Sequence, residues 1–85
     1  MEYSFRTSGT CSQLITFDLN ENKLSNIKFY GGCDGNLKAI SKILEGADAD
    51  FVVQTLTGNT CGPRPTSCAD QLAKAVKEAQ AAAAR

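Results

Sequence analysis

Residues 14–30, with the sequence LITFDLNENKLSNIKFY, decide the fold of this 85-residue chain. Apolar and polar side chains alternate in both halves of this segment, and a period of two is typical of strands that bury one face. The polar run at 20–23 predicts a hairpin connection between the halves. Upstream, Tyr3 and Phe5 alternate with polar neighbours in the same way. The first 30 residues therefore predict a three-stranded antiparallel meander with one apolar face.

Further along the chain the apolar spacing changes to that of helices. Leu37, Ile40, Ile43 and Leu44 lie at helical spacing and predict a first helix that ends at Gly46. The change of period marks the end of the sheet.

Two more helices are predicted downstream. Asp48 is suited to cap a short second helix, which Gly58 would close. The pair Thr66-Ser67 is suited to cap a final helix over residues 68–84. The apolar stripe of this final helix consists of Leu72, Ala75, Val76 and Ala79. Together these patterns predict an α+β fold, a single domain over residues 1–85, in which three helices follow a three-stranded antiparallel meander and pack on one face of it.

Composition and charge restrict the classes of function. Nine basic residues balance nine acidic ones, and this argues against a general nucleic-acid-binding protein, which normally carries a basic excess. No apolar run approaches the roughly 20 residues that a membrane-spanning helix needs. The first residues do not show the basic and apolar regions of a signal peptide. We therefore expect a cytoplasmic protein without a membrane partner, and the sequence leaves its oligomeric state open.

Four cysteines, Cys11, Cys33, Cys61 and Cys68, each stand beside a turn or a helix start. Cysteines in such loops can converge on a metal ion, on a cluster or on each other. The chain has no histidine, so its chemistry must be thiol chemistry. Disulfides are rare in the cytosol, and no Cys-x-x-Cys pattern occurs. The competing interpretation is that the cysteines are small buried apolar residues without chemistry.

The predicted positions of two cysteines favour the thiolate. Cys33 would lie just before the first helix and Cys68 at the start of the last one, where unpaired backbone N–H groups favour negative charge. Asp34, Asp70 and Arg64 are candidate neighbours that would surround the thiolates without binding the metal. The glycine-rich segment before Asn36 lacks the lysine and the spacing of a phosphate-binding loop, so we expect a plain turn there.

Two motifs carry a resemblance to a known family. They are Phe29-Tyr30-Gly31-Gly32-Cys33-Asp34-Gly35-Asn36 and Cys61-Gly62-x-Arg64-Pro65-Thr66-Ser67-Cys68-x-Asp70-Gln71-Leu72-Ala73, and Thr7-Ser8-Gly9-x-Cys11 adds to them. The chain thereby resembles the short stand-alone members of the TSCPD domain family. The Thr-Ser-Cys-Pro-Asp motif of the family has Ala69 in place of its proline here. Alanine is an excellent helix residue, so the helix start should be kept.

The resemblance implies a function connected with deoxynucleotide synthesis. Larger members of the family carry the domain at the C-terminal end of adenosylcobalamin-dependent ribonucleotide reductases, and short members are often labelled ribonucleoside-diphosphate reductase. The four cysteines are then expected to bind a metal ion, with zinc the first expectation and an iron–sulfur cluster the second. Eighty-five residues cannot supply the barrel, cobalamin site and radical cysteine of the catalyst, so the chain would act as an accessory module. Its partner would be a ribonucleotide reductase or another protein, and nucleotide binding stays open.

A weaker similarity, to NifU-type iron–sulfur scaffold proteins, supports an alternative. Cys11, Cys33 and Cys68 match the contexts of the three scaffold cysteines, and Cys61 could serve as a fourth ligand. The histidine beside the last scaffold cysteine is missing here, and Gln13 stands where the scaffold has an aspartate. The alternative function is therefore an iron–sulfur scaffold or carrier, or a redox dithiol protein.

Overall fold

The computed structural model describes residues 2–7, 9–10, 12–32, 34–60 and 62–83. Three strands come first and three helices follow, so the predicted α+β order is confirmed. The elements are β1 (Glu2–Arg6), β2 (Ser12–Asn20), β3 (Lys23–Gly31), α1 (Asp34–Ile43), α2 (Ala49–Leu56) and α3 (Cys68–Ala83). No helix of the described part combines the length and the apolar character needed to cross a bilayer.

The three strands form one antiparallel sheet in the order β1-β2-β3. Tyr3 lies opposite Phe17 and Phe5 lies opposite Ile15, which places four apolar side chains on one face. The rings of Tyr3 and Phe17 stack with their centroids 5.9 Å apart. The alternation of the sequence therefore becomes one apolar face of the sheet, because successive side chains of a strand point to opposite sides.

The helices cover that face and form the core with it. Leu72 and Val76 of α3 are fully buried, as are Ile15 of β2, Leu24 of β3 and Val52 of α2. The predicted packing of the helices on one face of the meander is thus observed. Each of these side chains leaves water almost completely, which stabilises the fold by about 1.5–3 kcal/mol per large apolar residue.

The predicted apolar stripe of α1 is wrong at Ile43. Its side chain is 77% exposed, whereas Leu44 just after the helix is buried. At 3.6 residues per turn, a step of six residues from Leu37 carries Ile43 about 120° around the helix axis, away from the core. A step of seven returns Leu44 to the buried side.

The start of α2 follows the predicted local chemistry, whereas α1 ends at Ile43, three residues before the predicted Gly46. The backbone N–H of Phe51 donates to a carboxylate oxygen of Asp48 at 3.2 Å, so Asp48 caps α2 as expected. Gly46 has a φ of +79° in the connection between α1 and α2. Glycine adopts this left-handed conformation without the steric cost that a Cβ atom imposes.

Candidate functional site

The predicted metal ligands are only partly visible. Cys68 lies within the described part of the chain, whereas Cys11, Cys33 and Cys61 lie outside the described residues, as does the side chain of Asp34. The geometry of the site is therefore given by Cys68 and by the described neighbours of the other cysteines along the chain.

Cys68 is the first residue of α3 and is partly exposed. Its Sγ donates to the hydroxyl oxygen of Ser12 over 3.1 Å. Ser12 is the first residue of β2 and is itself buried. The start of the last helix thus touches the start of the second strand, although 56 residues separate them.

The loop before β2 is held by hydroxyl groups. The hydroxyls of Thr7 and Thr10 both donate to the carbonyl oxygen of Ser12, at 2.5 Å and 3.2 Å. The hydroxyl oxygens of Thr10 and Ser12 also lie 3.3 Å apart. These bonds tie Thr7 and Thr10 to Ser12, which in turn contacts Cys68 at the start of α3.

Gly9 brings this loop close to α3. It has a φ of +76°, and a Cβ atom added there would lie 3.1 Å from Cγ2 of Thr66, just before the helix. Only a residue without a side chain allows both this conformation and this approach.

Gly9→Ala is therefore expected to destabilise the protein by about 1–2 kcal/mol for the left-handed backbone, and by more because of the contact with Thr66. Gly46→Ala is the matched control, since Gly46 also has a positive φ but has open space around its Cβ position. Urea unfolding would measure both variants. Equal losses of stability would contradict a tight approach of the loop to Thr66.

The loop before Cys61 is attached to the first turn of α3. The hydroxyl of Ser67 donates to the carbonyl oxygen of Asn59. The backbone N–H of Gly58 donates to a carboxylate oxygen of Asp70 at 2.7 Å. Ser67 also accepts from the backbone N–H of Asp70 at 3.1 Å, so it caps the helix as predicted.

Asp70 joins these contacts into one network. The residue is only 4% exposed, and its carboxylate accepts from the hydroxyl of Thr66 as well as from the backbone N–H of Gly58. The hydrogen bond from Thr66, then the one from Gly58, holds the pKa of Asp70 below its ordinary value against the opposing effect of burial, and Lys74 at 3.6 Å acts in the same direction. The ionised carboxylate is therefore the form that the folded protein favours.

The lowered pKa of Asp70 makes the stability of the protein depend on pH in the acid range. Because the folded-state pKa lies below the ordinary value of 3.8, the contribution of Asp70 to stability is complete above pH 3.8 and is lost as the pH falls through the folded value. We expect the stability of the wild type to fall in this range, and that of Asp70→Asn to fall less steeply. Urea unfolding across the acid range, with a chelator present throughout, would measure the difference. Identical pH profiles would contradict the assignment.

The end of β3 lies beside Ser12, at the start of β2. Ser12 pairs with Gly31 across the sheet, two residues before Cys33. The extra residue at Gln13, where the register shifts, lets the start of β2 reach this position. The sheet thereby brings the sequence neighbours of Cys11 and Cys33 together.

A cleft of about 290 Å³ collects these segments. The cleft is lined by Cys68 itself and by a sequence neighbour of each of the other three predicted ligands. These neighbours are Thr10, Asn36 and Thr60, each at most three positions from its cysteine. Arg64 also lines it, and it is the one basic side chain among the described lining residues. The cleft combines a thiol at a helix start, several hydroxyl and amide groups and one positive charge.

Sequence reasoning did not find two residues that build this site. Ser12 and Asn59 position its loops, but nothing in their sequence context marks them. Thr66 was expected only as part of a helix cap, and its hydroxyl donates to the carboxylate of Asp70. The contact between Ser67 and Asp70 could have been predicted from the sequence. A serine with an acidic residue three positions later is the pattern of a capping box. Lys74, one helical turn later, lies 3.6 Å from this carboxylate, which is buried and holds a loop as well.

Comparison with known proteins adds a family assignment. The family model described as the TSCPD domain matches residues 1–80 of the 85 residues. Neither the search of curated proteins nor the search of solved structures gave a significant match. The matched region contains the whole sheet, the cleft and all four cysteines. With nearly its whole length matched, the chain belongs to the TSCPD domain family.

Proposed function

We propose that the chain is a non-catalytic module that binds one metal ion, zinc in the first place, through the thiolates of Cys11, Cys33, Cys61 and Cys68. The observation that carries the proposal is the single cleft lined by Cys68 and by close sequence neighbours of the other three cysteines. Segments from four separate parts of the chain meet there. In a fold without histidine, that is the arrangement a four-cysteine site needs.

The donor set suits zinc. Four thiolates complete a closed tetrahedral site, with Zn–S bonds of about 2.3 Å and sulfur atoms within roughly 4 Å of one another. Each cysteine has a glycine, a threonine or a serine as a neighbour in the sequence, and such small residues favour a close approach of the four segments. When bound, the ion would supply a cross-link that a small domain with a limited core needs.

The residues around the cleft would prepare it for binding. The hydroxyls of Thr7 and Thr10 hold the loop on one side, and Ser67 and Asp70 hold the loop on the other. The N-terminus of α3 places the positive end of its dipole at Cys68, which favours the thiolate that a metal requires. These contacts would order the loops before the last ligand is added.

The family assignment connects the module with ribonucleotide reduction. The TSCPD domain is associated with the C-terminal regions of ribonucleotide reductases. We propose that this chain acts beside such a reductase, or beside another protein of deoxynucleotide synthesis, in the cytoplasm. Its part would be to present a metal-stabilised surface to that partner.

Metal content of protein purified without added metal tests the proposal. Mass spectrometry should find about one zinc ion per chain in the wild type, and a clear loss in each of the four single Cys→Ser variants. Arg64→Gln is the matched control, since it changes the same cleft without removing a thiolate. This variant should keep its metal.

The same measurement decides between the alternatives. Iron together with acid-labile sulfide would favour the iron–sulfur scaffold or carrier. Absence of metal together with a cysteine pair that oxidises and reduces reversibly would favour the redox dithiol protein. Absence of both would leave the cysteines as inert residues and overturn the proposal.

The isolated chain is expected to show no ribonucleotide reduction, with or without adenosylcobalamin. Its 85 residues include no histidine and are too few to form the barrel that such a catalyst requires. Product formation from a ribonucleoside diphosphate and from a triphosphate would be measured against a buffer control. Turnover above that control would contradict a non-catalytic module.

A further inference from the structure

A second concavity, the β3–α1 groove, lies beside the cysteine cleft. Its volume is about 510 Å³, and residues 27–32 form one wall. The opposite wall is one side of α1, where Leu37, Lys38, Ser41 and Lys42 recur at helical spacing. Of all these residues, only Leu37 also lines the cysteine cleft.

The strand wall of the groove is a sheet edge. Six consecutive residues line it, whereas a wall made by one face of a strand would use every second residue. β3 is an outer strand of the sheet, so among the described residues one side of its backbone has no neighbouring strand. A groove between an open strand edge and a helix is the shape that accepts an added peptide strand.

Hydrogen bonds to residues 45–47 cover only the first half of the open edge of β3. The backbone of Leu24 bonds to Gly46 and Ala47, at 2.6 Å and 2.9 Å, and the backbone N–H of Asn26 donates to the side chain of Glu45. Asn26 has a φ of +52° where the register with β2 shifts, so the strand is irregular at that point. Beyond it, no residue of 27–32 makes a backbone hydrogen bond to a segment other than β2 within the described part of the chain.

The charged side chains that line the groove are all basic among the described residues. Lys28, Lys38 and Lys42 line it, and no acidic side chain does so among the described residues. The whole chain, in contrast, has equal numbers of basic and acidic residues. Three of nine basic residues are thus gathered around one open strand edge.

We propose that the β3–α1 groove binds an extended acidic segment of a partner protein, which pairs with residues 27–31 as a fourth strand. The backbone of β3 would supply the ladder of hydrogen bonds, and the lysines would attract the carboxylates of the segment. A second copy of this chain fits poorly, because symmetric pairing of two β3 edges would bring the lysines of both copies together.

Peptide binding tests the proposal. The probe is a fluorescein-labelled eight-residue peptide of alternating glutamate and valine, and its counterpart has lysine in place of glutamate. The acidic peptide should bind at least about tenfold more tightly in fluorescence anisotropy, with an affinity that falls as salt is added. Amide chemical-shift changes should concentrate on residues 27–32 and on α1.

Charge reversal supplies the control. Lys28→Glu and Lys42→Glu should each weaken binding of the acidic peptide, and the double variant should weaken it about tenfold. Lys77→Glu, at an exposed position of α3, should leave binding unchanged. All three lysines are on the surface, so circular dichroism should show folded variants. Equal or undetectable binding of both peptides, shifts elsewhere on the protein, or a dimer paired through β3 in sedimentation and nuclear Overhauser experiments would overturn the proposal.

Discussion

Cys68→Ser is expected to lower both the metal content and the melting temperature more than Cys11→Ser does. Cys68 begins the longest helix, and its Sγ contacts Ser12 across the fold. Loss of the thiolate would release the start of α3 and the loop before it, since metal binding is part of the folding free energy. We expect a loss of about 2 kcal/mol or more, or roughly 8–16 °C in Tm for a domain of this size.

Cys11→Ser should lose metal as well, but with a smaller fall in Tm. The residues on both sides of Cys11 are held by the hydroxyls of Thr7, Thr10 and Ser12, which this substitution leaves in place. Loosening of an edge loop costs less than loosening of a core helix. Thermal melts of both variants and of the wild type, each with and without chelator, would show the order. Equal melting temperatures that chelator does not move would leave the inert-cysteine interpretation standing.

Asp70→Ala is expected to destabilise the protein by about 2–4 kcal/mol. The carboxylate is buried and accepts hydrogen bonds from Thr66 and Gly58, so its removal leaves two donors without their partner at the base of the cleft. An unsatisfied buried donor costs about 1–3 kcal/mol, and a bond to a charged acceptor is worth more than a neutral one. Urea unfolding would measure the change.

Asp50→Ala provides the comparison for that variant. Asp50 also stands in the first turn of a helix, but it is exposed, and it accepts a hydrogen bond from the side-chain amide of Gln80 at 2.7 Å. A solvent-exposed carboxylate of this kind should contribute less than about 1 kcal/mol. If both substitutions had the same small effect, the network around Asp70 would not be what holds the 58–60 loop.

The sheet and the helices were predictable because their signals are local and repeated. A period of two at Ile15, Phe17 and Leu19 admits one buried face, and Ser67 and Asp48 mark helix starts by their side-chain chemistry. Ile43 shows the limit of such patterns. Its spacing suited an apolar stripe, but the helix stops at Ile43, and its side chain faces away from the core.

The arrangement around the cleft was not predictable, because it depends on contacts between distant segments. The approach of Gly9 to Thr66 and the bond from Cys68 to Ser12 are set by the register of β2 with β3 and by the placement of α3. A one-residue shift of register would remove both contacts without changing the local patterns. The positions of Cys11, Cys33 and Cys61 themselves, and their binding of metal, remain predictions.

A crystal structure of the purified protein that measures the distances among the sulfur atoms of Cys11, Cys33, Cys61 and Cys68 tests the four-cysteine site most directly. A shared metal ion predicts that all four sulfur atoms lie within roughly 4 Å of one another, whichever metal is bound. Any pair of well-ordered sulfur atoms separated by more than ~8 Å would contradict a single site, because no tetrahedral ion spans that distance.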